Sequence, residues 1–138
     1  GDLLAKKDFT PQPTETQEKK LEEIAGLFKS GGLTPPVPKN IWEPLGLKKE
    51  EGDSLLDYLV YRGALVKISA DIYLHSEVYD RCLQALREYL QKNRSISLGR
   101  YRDLLQTSRK YAQALLEHFD SCRYTRRLGD ERVAWKLF

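Results

Sequence analysis

Slid against itself by sixty residues, the chain places Leu55-Leu56-Asp57-Tyr58-Leu59 on Leu115-Leu116-Glu117-His118-Phe119, and Val66-Lys67-Ile68 on Arg126-Arg127-Leu128, without a gap. At nearly the same offset, residues 21–28 fall on residues 82–89. Self-similarity at one fixed spacing means that a single small unit is used twice on a shared apolar scaffold. At 138 residues, 41% of them apolar, the chain is long enough to bury two small cores. The expected organisation is a linker from an upstream domain over 1–13, one domain over 14–75 and a second over 76–138.

The second copy shows what the unit is. Ala112, Leu115, Leu116 and Phe119 recur at i, i+3, i+4 and i+7, the stripe of a half-buried helix, while Arg109, Lys110 and Gln113 project from its other side. Thr107 is the expected N-cap, since its hydroxyl can take free N–H groups of the first turn. Beyond this helix, residues 124–128 and 131–135 flank Gly129-Asp130, which predicts a hairpin with a two-residue turn and Arg127 opposite Arg132. Helix, tight turn, second helix and hairpin make a winged helix-turn-helix. The expected fold is therefore mainly α with small β-hairpins (α+β), as two tandem winged-helix domains.

The first copy follows the same order. A helix over 16–30, capped by Thr14 or Thr16, carries Leu21, Ile24, Ala25 and Phe28 on one face and stops at Gly31-Gly32. Leu33 is placed to start a short strand, and Pro38 to open a short helix that Pro44 curtails, with Ile41, Trp42 and Leu45 as packing residues. A helix over 48–61 buries Leu55, Leu56 and Leu59, and strands over 64–69 and 72–75 complete the unit. Ser76 then caps a helix over 77–92, with Tyr79, Cys82, Leu83, Leu86, Tyr89 and Leu90 on its inner face. The joint between copies is short, which predicts a fixed relation rather than a loose tether.

Charge separates the copies. From Arg94 onward ten basic residues stand against five acidic ones, although the whole chain carries only +3. Arg109 and Lys110 sit in a first helical turn, where the macrodipole favours acids, so local stability does not explain them, whereas an anion such as phosphate does. Arg127 facing Arg132 is unfavourable unless a polyanion lies close. In the first copy the counterparts are Lys49-Glu50, Val66 in place of Arg126 and Ile72 in place of Arg132, so cations are not needed for the scaffold. The asymmetry is the footprint of a nucleic-acid-binding module joined to one that does not bind.

Other chemistries find no support. Cys82 and Cys122 lie in apolar helical patterns without metal-ligand spacing, His75 and His118 are far apart, and no phosphate loop or nucleophile–base constellation occurs, so no enzyme, metal site or cofactor is expected. No apolar run approaches the length needed to cross a bilayer and no signal peptide is seen, which predicts a cytoplasmic protein without membrane contact, and a monomer is expected. Structured RNA binding, duplex DNA binding by a transcription regulator, and a protein-interaction adaptor all survive. The basic patch disfavours the third and barely separates the first two.

The run ISLGRYRDLLQTSRKYAQALLEHFDSCRYTRRLGDERV resembles the C-terminal domain of the bacterial SelB family, selenocysteine-specific translation elongation factors, in which a pattern close to FRDLL-TSRKYA-LLE-D-TRR-GD-R recurs. The preceding copy, with Phe9-Thr10-Pro11 in its linker, fits the winged-helix array of that family more loosely. The resemblance implies that the last unit binds the SECIS hairpin of selenoprotein mRNA and the first acts as a spacer. It also implies that GTP, magnesium, selenocysteyl-tRNA and the ribosome are engaged through an N-terminal portion absent from this chain. Carried over position by position, the RNA-binding residues are Leu98, Gly99, Arg100, Ser108, Arg109, Lys110, Tyr111, Arg126, Arg127, Gly129, Asp130 and Arg132.

Overall fold

The computed structural model describes residues 13–136 and 138. The chain divides after Ser76 into two compact units. The linker expected over 1–13 lies outside the described residues except for Pro13.

In the first unit, helix α1 spans Glu15–Gly31. Thr14 caps it reciprocally: the Gln17 amide donates to Thr14 Oγ1 at 3.1 Å and the Thr14 amide donates to Gln17 Oε1 at 2.9 Å. Leu21, Ile24 and Phe28 are its fully buried stripe, and Gly32, at φ 55°, closes it. Leu33 starts no strand, because Pro35 and Pro36 have no N–H to give a ladder, and the chain runs through turns into a 3-10 helix at Pro38–Asn40. Helix α2, Lys49–Tyr61, buries Leu56 and Leu59 against Trp42 and the α1 stripe. Strands β1 (Leu65–Lys67) and β2 (Tyr73–His75) pair antiparallel, shorter than the hydropathy pattern predicts.

The second unit opens with helix α3, Ser76–Lys92, whose buried residues are Val78, Cys82 and Leu86. Tyr79, Leu83, Tyr89 and Leu90 are only half-buried. Strand β3, Ile96–Ser97, leads straight into helix α4, Leu98–Leu105, which Ser97 caps by accepting the Arg100 amide at 3.0 Å. Tyr101 of α4 is fully buried, with its hydroxyl donating to the Cys82 carbonyl at 2.8 Å. Helix α5, Arg109–Ser121, buries Ala112, Leu115, Leu116 and Phe119, the stripe read from the sequence. Strands β4 (Thr125–Leu128) and β5 (Glu131–Ala134) form the wing, closed by Gly129 at φ 64° in a two-residue turn.

Two features correct the expectation. The wing sheet has three strands in the order β3-β5-β4, because Ile96 and Ser97 pair with Arg132 and Glu131. Thr107 does not cap α5. Gln106 turns the chain through the left-handed region at φ 56°, which makes Ser108 the extended residue before the helix. Thr107 Oγ1 is sealed from solvent with no hydrogen-bond partner among the described residues.

The two units repeat each other in detail. Gly46 and Gln106 are left-handed at matching positions, as are Gly63 and Arg123. The offset of sixty holds through the first wing strand and becomes fifty-nine on the second, since Lys67 pairs with Tyr73 as Arg127 pairs with Arg132. Tyr73, not Ile72, is thus the structural counterpart of Arg132.

Candidate nucleic-acid interface

In the second unit three walls enclose a concavity of about 380 Å³. Ser97, Leu98 and Gly99, at the start of α4, form one. Arg109, Gln113 and Glu117, spaced i, i+4 and i+8 along the exposed side of α5, form the second. Arg127, Asp130 and Arg132 of the wing form the third.

The α5 N-terminus beside this concavity lacks the devices that normally finish a helix start. Ser108 makes no capping hydrogen bond and the first turn holds no acid. In the first unit the matching helix α2 has Glu50 and Glu51 in its first turn, and the Lys48 amide donates to Glu51 Oε1 at 2.9 Å. Tyr111 stands where Glu51 stands. Exposed Lys110 replaces Glu50 and exposed Arg109 stands where Lys49 stands, so free N–H donors, dipole and two cations converge on one spot. Lys110 Nζ lies 5.4 Å from the centroid of the Tyr111 ring.

The wing arginines have three different environments. Arg127 is exposed on the concave side, its Nε donating to the Gly129 carbonyl at 2.8 Å. Arg132 faces it across the ladder but is buried, with Nη2 at 2.9 Å and Nε at 3.2 Å from Asp120 Oδ2. Thr125, itself fully buried, donates to the other carboxylate oxygen at 2.7 Å. The repulsion that seemed to demand an external polyanion is therefore relieved internally, by a carboxylate one helix away. Arg126 follows the two-residue alternation of the strand to the opposite face, 5.8 Å from the Trp135 ring centroid. Strand alternation alone separates it from Arg127.

Of the residues singled out in the sequence, the fold brings Leu98, Gly99, Arg109, Arg127, Asp130 and Arg132 into the concavity. Ser108, Lys110 and Tyr111 flank it at the α5 start, Arg100 is exposed on α4 and Gly129 forms the wing tip. Ser97 and Glu117 were not anticipated, and Gln113 was placed on the exposed side of the helix without a binding role, although the helical period counted from Arg109 points to both Gln113 and Glu117. Gln113 Nε2 donates to Glu117 Oε2 at 3.1 Å, so the floor offers acceptors as well as cations.

Neither cysteine and neither histidine lines it among the described residues. Burial pushes the Cys82 thiol up to about 11 and raises that of Cys122 as well, which keeps both protonated. His118 is shifted toward its neutral form by burial, with Tyr79 Oη at 3.0 Å and Cys122 Sγ at 3.5 Å from its Nε2. Among the described residues no cluster of three His, Cys, Asp or Glu could hold a metal ion, and no helix is long and apolar enough to cross a membrane.

Residues 88–134, most of this unit, match the family described as elongation factor SelB, winged helix. Over these residues the second unit is similar to a SelB winged helix. The selenocysteine-specific elongation factor of Desulfomicrobium baculatum is 30% identical over 105 residues, which is 76% of this chain. The chain spans 17% of that relative's length. The mRNA-binding domain of SelB from E. coli, solved in complex with SECIS RNA, superimposes with a TM-score of 0.76 at 23% identity, covering 90% of this chain and 100% of that one. A bacterial selenocysteine-specific elongation factor, EF-Sec, gives a TM-score of 0.63 at 22% identity over 89% of this chain and 18% of its own. Both share the tandem winged-helix architecture described above.

Proposed function

We propose that the SelB winged helix of this chain binds the SECIS hairpin of selenoprotein mRNA, and that the chain is the mRNA-tethering part of a cytoplasmic selenocysteine-specific elongation factor. The observation that carries this reading is the α5 start, left without a capping bond or an acid beside Arg109 and Arg127, where the sister unit has two acids and a Glu51 carboxylate that accepts the Lys48 amide. Double-stranded A-form RNA hides its base edges, so a hairpin is read by the spacing of its phosphates and by bases that loop out. The helix start with Arg109, Lys110 and Arg127 suits the phosphates. The mixed floor of Gln113, Glu117 and Asp130 suits the donor and acceptor edge of one extruded base rather than a continuous run of phosphates. Leu98, Gly99 and Arg100 bound that pocket on the α4 side, with Gly99 leaving room for close approach. Arg132 supports the wing, and the first winged helix serves as a spacer. The SelB family model, the Desulfomicrobium relative and the SECIS complex of the E. coli domain support the choice of RNA.

GTP, magnesium, selenocysteyl-tRNA and the ribosome belong, in this reading, to a portion of the factor outside this chain. A gel-shift series tests the proposal with a selenoprotein-mRNA hairpin, the same hairpin without its bulged base, and a DNA duplex of equal length. Binding should fall from the first to the second and be weakest for the duplex. Equal or tighter binding of the duplex would favour the transcription-regulator reading instead.

A further inference from the structure

The convex face of the wing carries a second cluster of cations, turned away from the concavity. Trp135 extends the wing ladder, its amide donating to the Tyr124 carbonyl at 2.9 Å, yet its side chain is 36% exposed. Around its ring centroid stand Lys136 Nζ at 5.4 Å, the Arg126 guanidinium at 5.8 Å and the Arg123 guanidinium at 6.0 Å. Leu128, on the same side of the hairpin as Arg126, is 51% exposed. Three like charges around one ring repel each other, and no carboxylate among the described residues pairs with any of them.

Arg123 makes the arrangement harder to attribute to folding. It occupies a left-handed backbone position at φ 65°, where the first unit has Gly63 at φ 87°. Arg126 replaces Val66, and by the wing register Trp135 and Lys136 replace Ser76 and Glu77. A side chain kept where glycine fits better, inside a cluster the sister unit lacks, marks a contact rather than a scaffold.

We propose that this face is a second RNA contact, which takes an unpaired nucleotide of the strand flanking the hairpin. The base stacks on Trp135, and Arg123, Arg126 and Lys136 meet the phosphates on either side. An exposed aromatic ringed by cations is the arrangement that binds single strands without regard to sequence, whereas a duplex offers no free base face to stack. The proposal rests on the hairpin reading above and adds a second site to it.

The test compares, by fluorescence anisotropy, a selenoprotein-mRNA hairpin alone with the same hairpin carrying an unpaired uridine extension on either end. The extension should tighten binding of the native chain roughly tenfold, the worth of about one stacked base. Trp135→Ala should abolish that gain and leave affinity for the bare hairpin unchanged. Arg123→Gly, which relieves the left-handed backbone and so keeps the fold, should reduce the gain. An extension that adds nothing to the native chain overturns the proposal while the hairpin reading stands. So does Trp135→Ala weakening both RNAs equally. Failure of the native chain to bind either RNA overturns the hairpin reading and the second contact with it.

Discussion

Gly52 lies on α2 directly beneath the indole of Trp42, and a Cβ at that position would overlap the ring carbons. Trp42 cannot retreat, because it is 3% exposed and its Nε1 donates to Asp53 Oδ1 at 3.2 Å. Gly52→Ala should therefore destabilise the first unit by about 2 kcal/mol or more, read as a lowered denaturation midpoint. The spacing of apolar residues gives no hint of this, since a glycine inside a helix reads as a mere loss of helix propensity. The environment of Arg132 is hidden from the sequence for the opposite reason. Its charge suggested solvent or RNA, but its partner Asp120 lies on another element and becomes visible only once α5 packs on the wing. In the first unit Val60, Leu65 and Tyr73 stand where Asp120, Thr125 and Arg132 stand, an apolar version of the same contact. Asp120→Ala should cost about 3 kcal/mol by leaving a buried guanidinium unpaired. The combined change Asp120→Val, Thr125→Leu, Arg132→Tyr should cost much less, and urea denaturation of both variants distinguishes the two outcomes.

Helices α2 and α5 hold equivalent places and differ most at their first turns. Tyr111→Glu would give α5 the carboxylate that Glu51 supplies to α2, which should stabilise the second unit by about 0.5–1 kcal/mol. The same change should weaken hairpin binding several-fold, because it engages the Ser108 amide and adds a negative charge where phosphate would sit. Melting temperature and anisotropy measured on one variant would show both effects, and a variant that binds as tightly as the native chain would argue against phosphate at this helix start. At this scale much was legible. The apolar stripes located both α2 and α5, and of the registers that the Gly129-Asp130 turn leaves open within a residue, the two-residue one sets Arg127 opposite Arg132. Three things were hidden. Strand β3 is two residues long, too short for any periodicity. The start of α5 depends on the left-handed Gln106, a conformation that no glycine announces. The shift from sixty to fifty-nine on the second wing strand depends on one extra loop residue in the first unit, which the ungapped overlay conceals.

Across the whole chain, the charge that the proposed RNA contact draws on is concentrated after Arg94, and its value lies in placement more than in total. Arg132 is neutralised in place and Arg126 faces away, so the concave surface depends on Arg109, Lys110 and Arg127. If these meet phosphates, Lys110→Ala and Arg127→Ala should each weaken binding to all hairpins about equally and reduce the slope of log affinity against log salt by about one. An unchanged slope would assign that side chain a different role. The third wing strand carries a mechanical consequence. Ser97 and Glu131 pair, and Ser95 Oγ donates to Glu131 Oε1 at 2.5 Å, so the wing and the entrance to α4 are stitched into one sheet. Two of the three walls cannot part without breaking that seam. In the proposed complex, a pocket fixed in this way leaves the message to do the bending, and any hairpin whose loop cannot take the required shape bears the full cost of its own distortion.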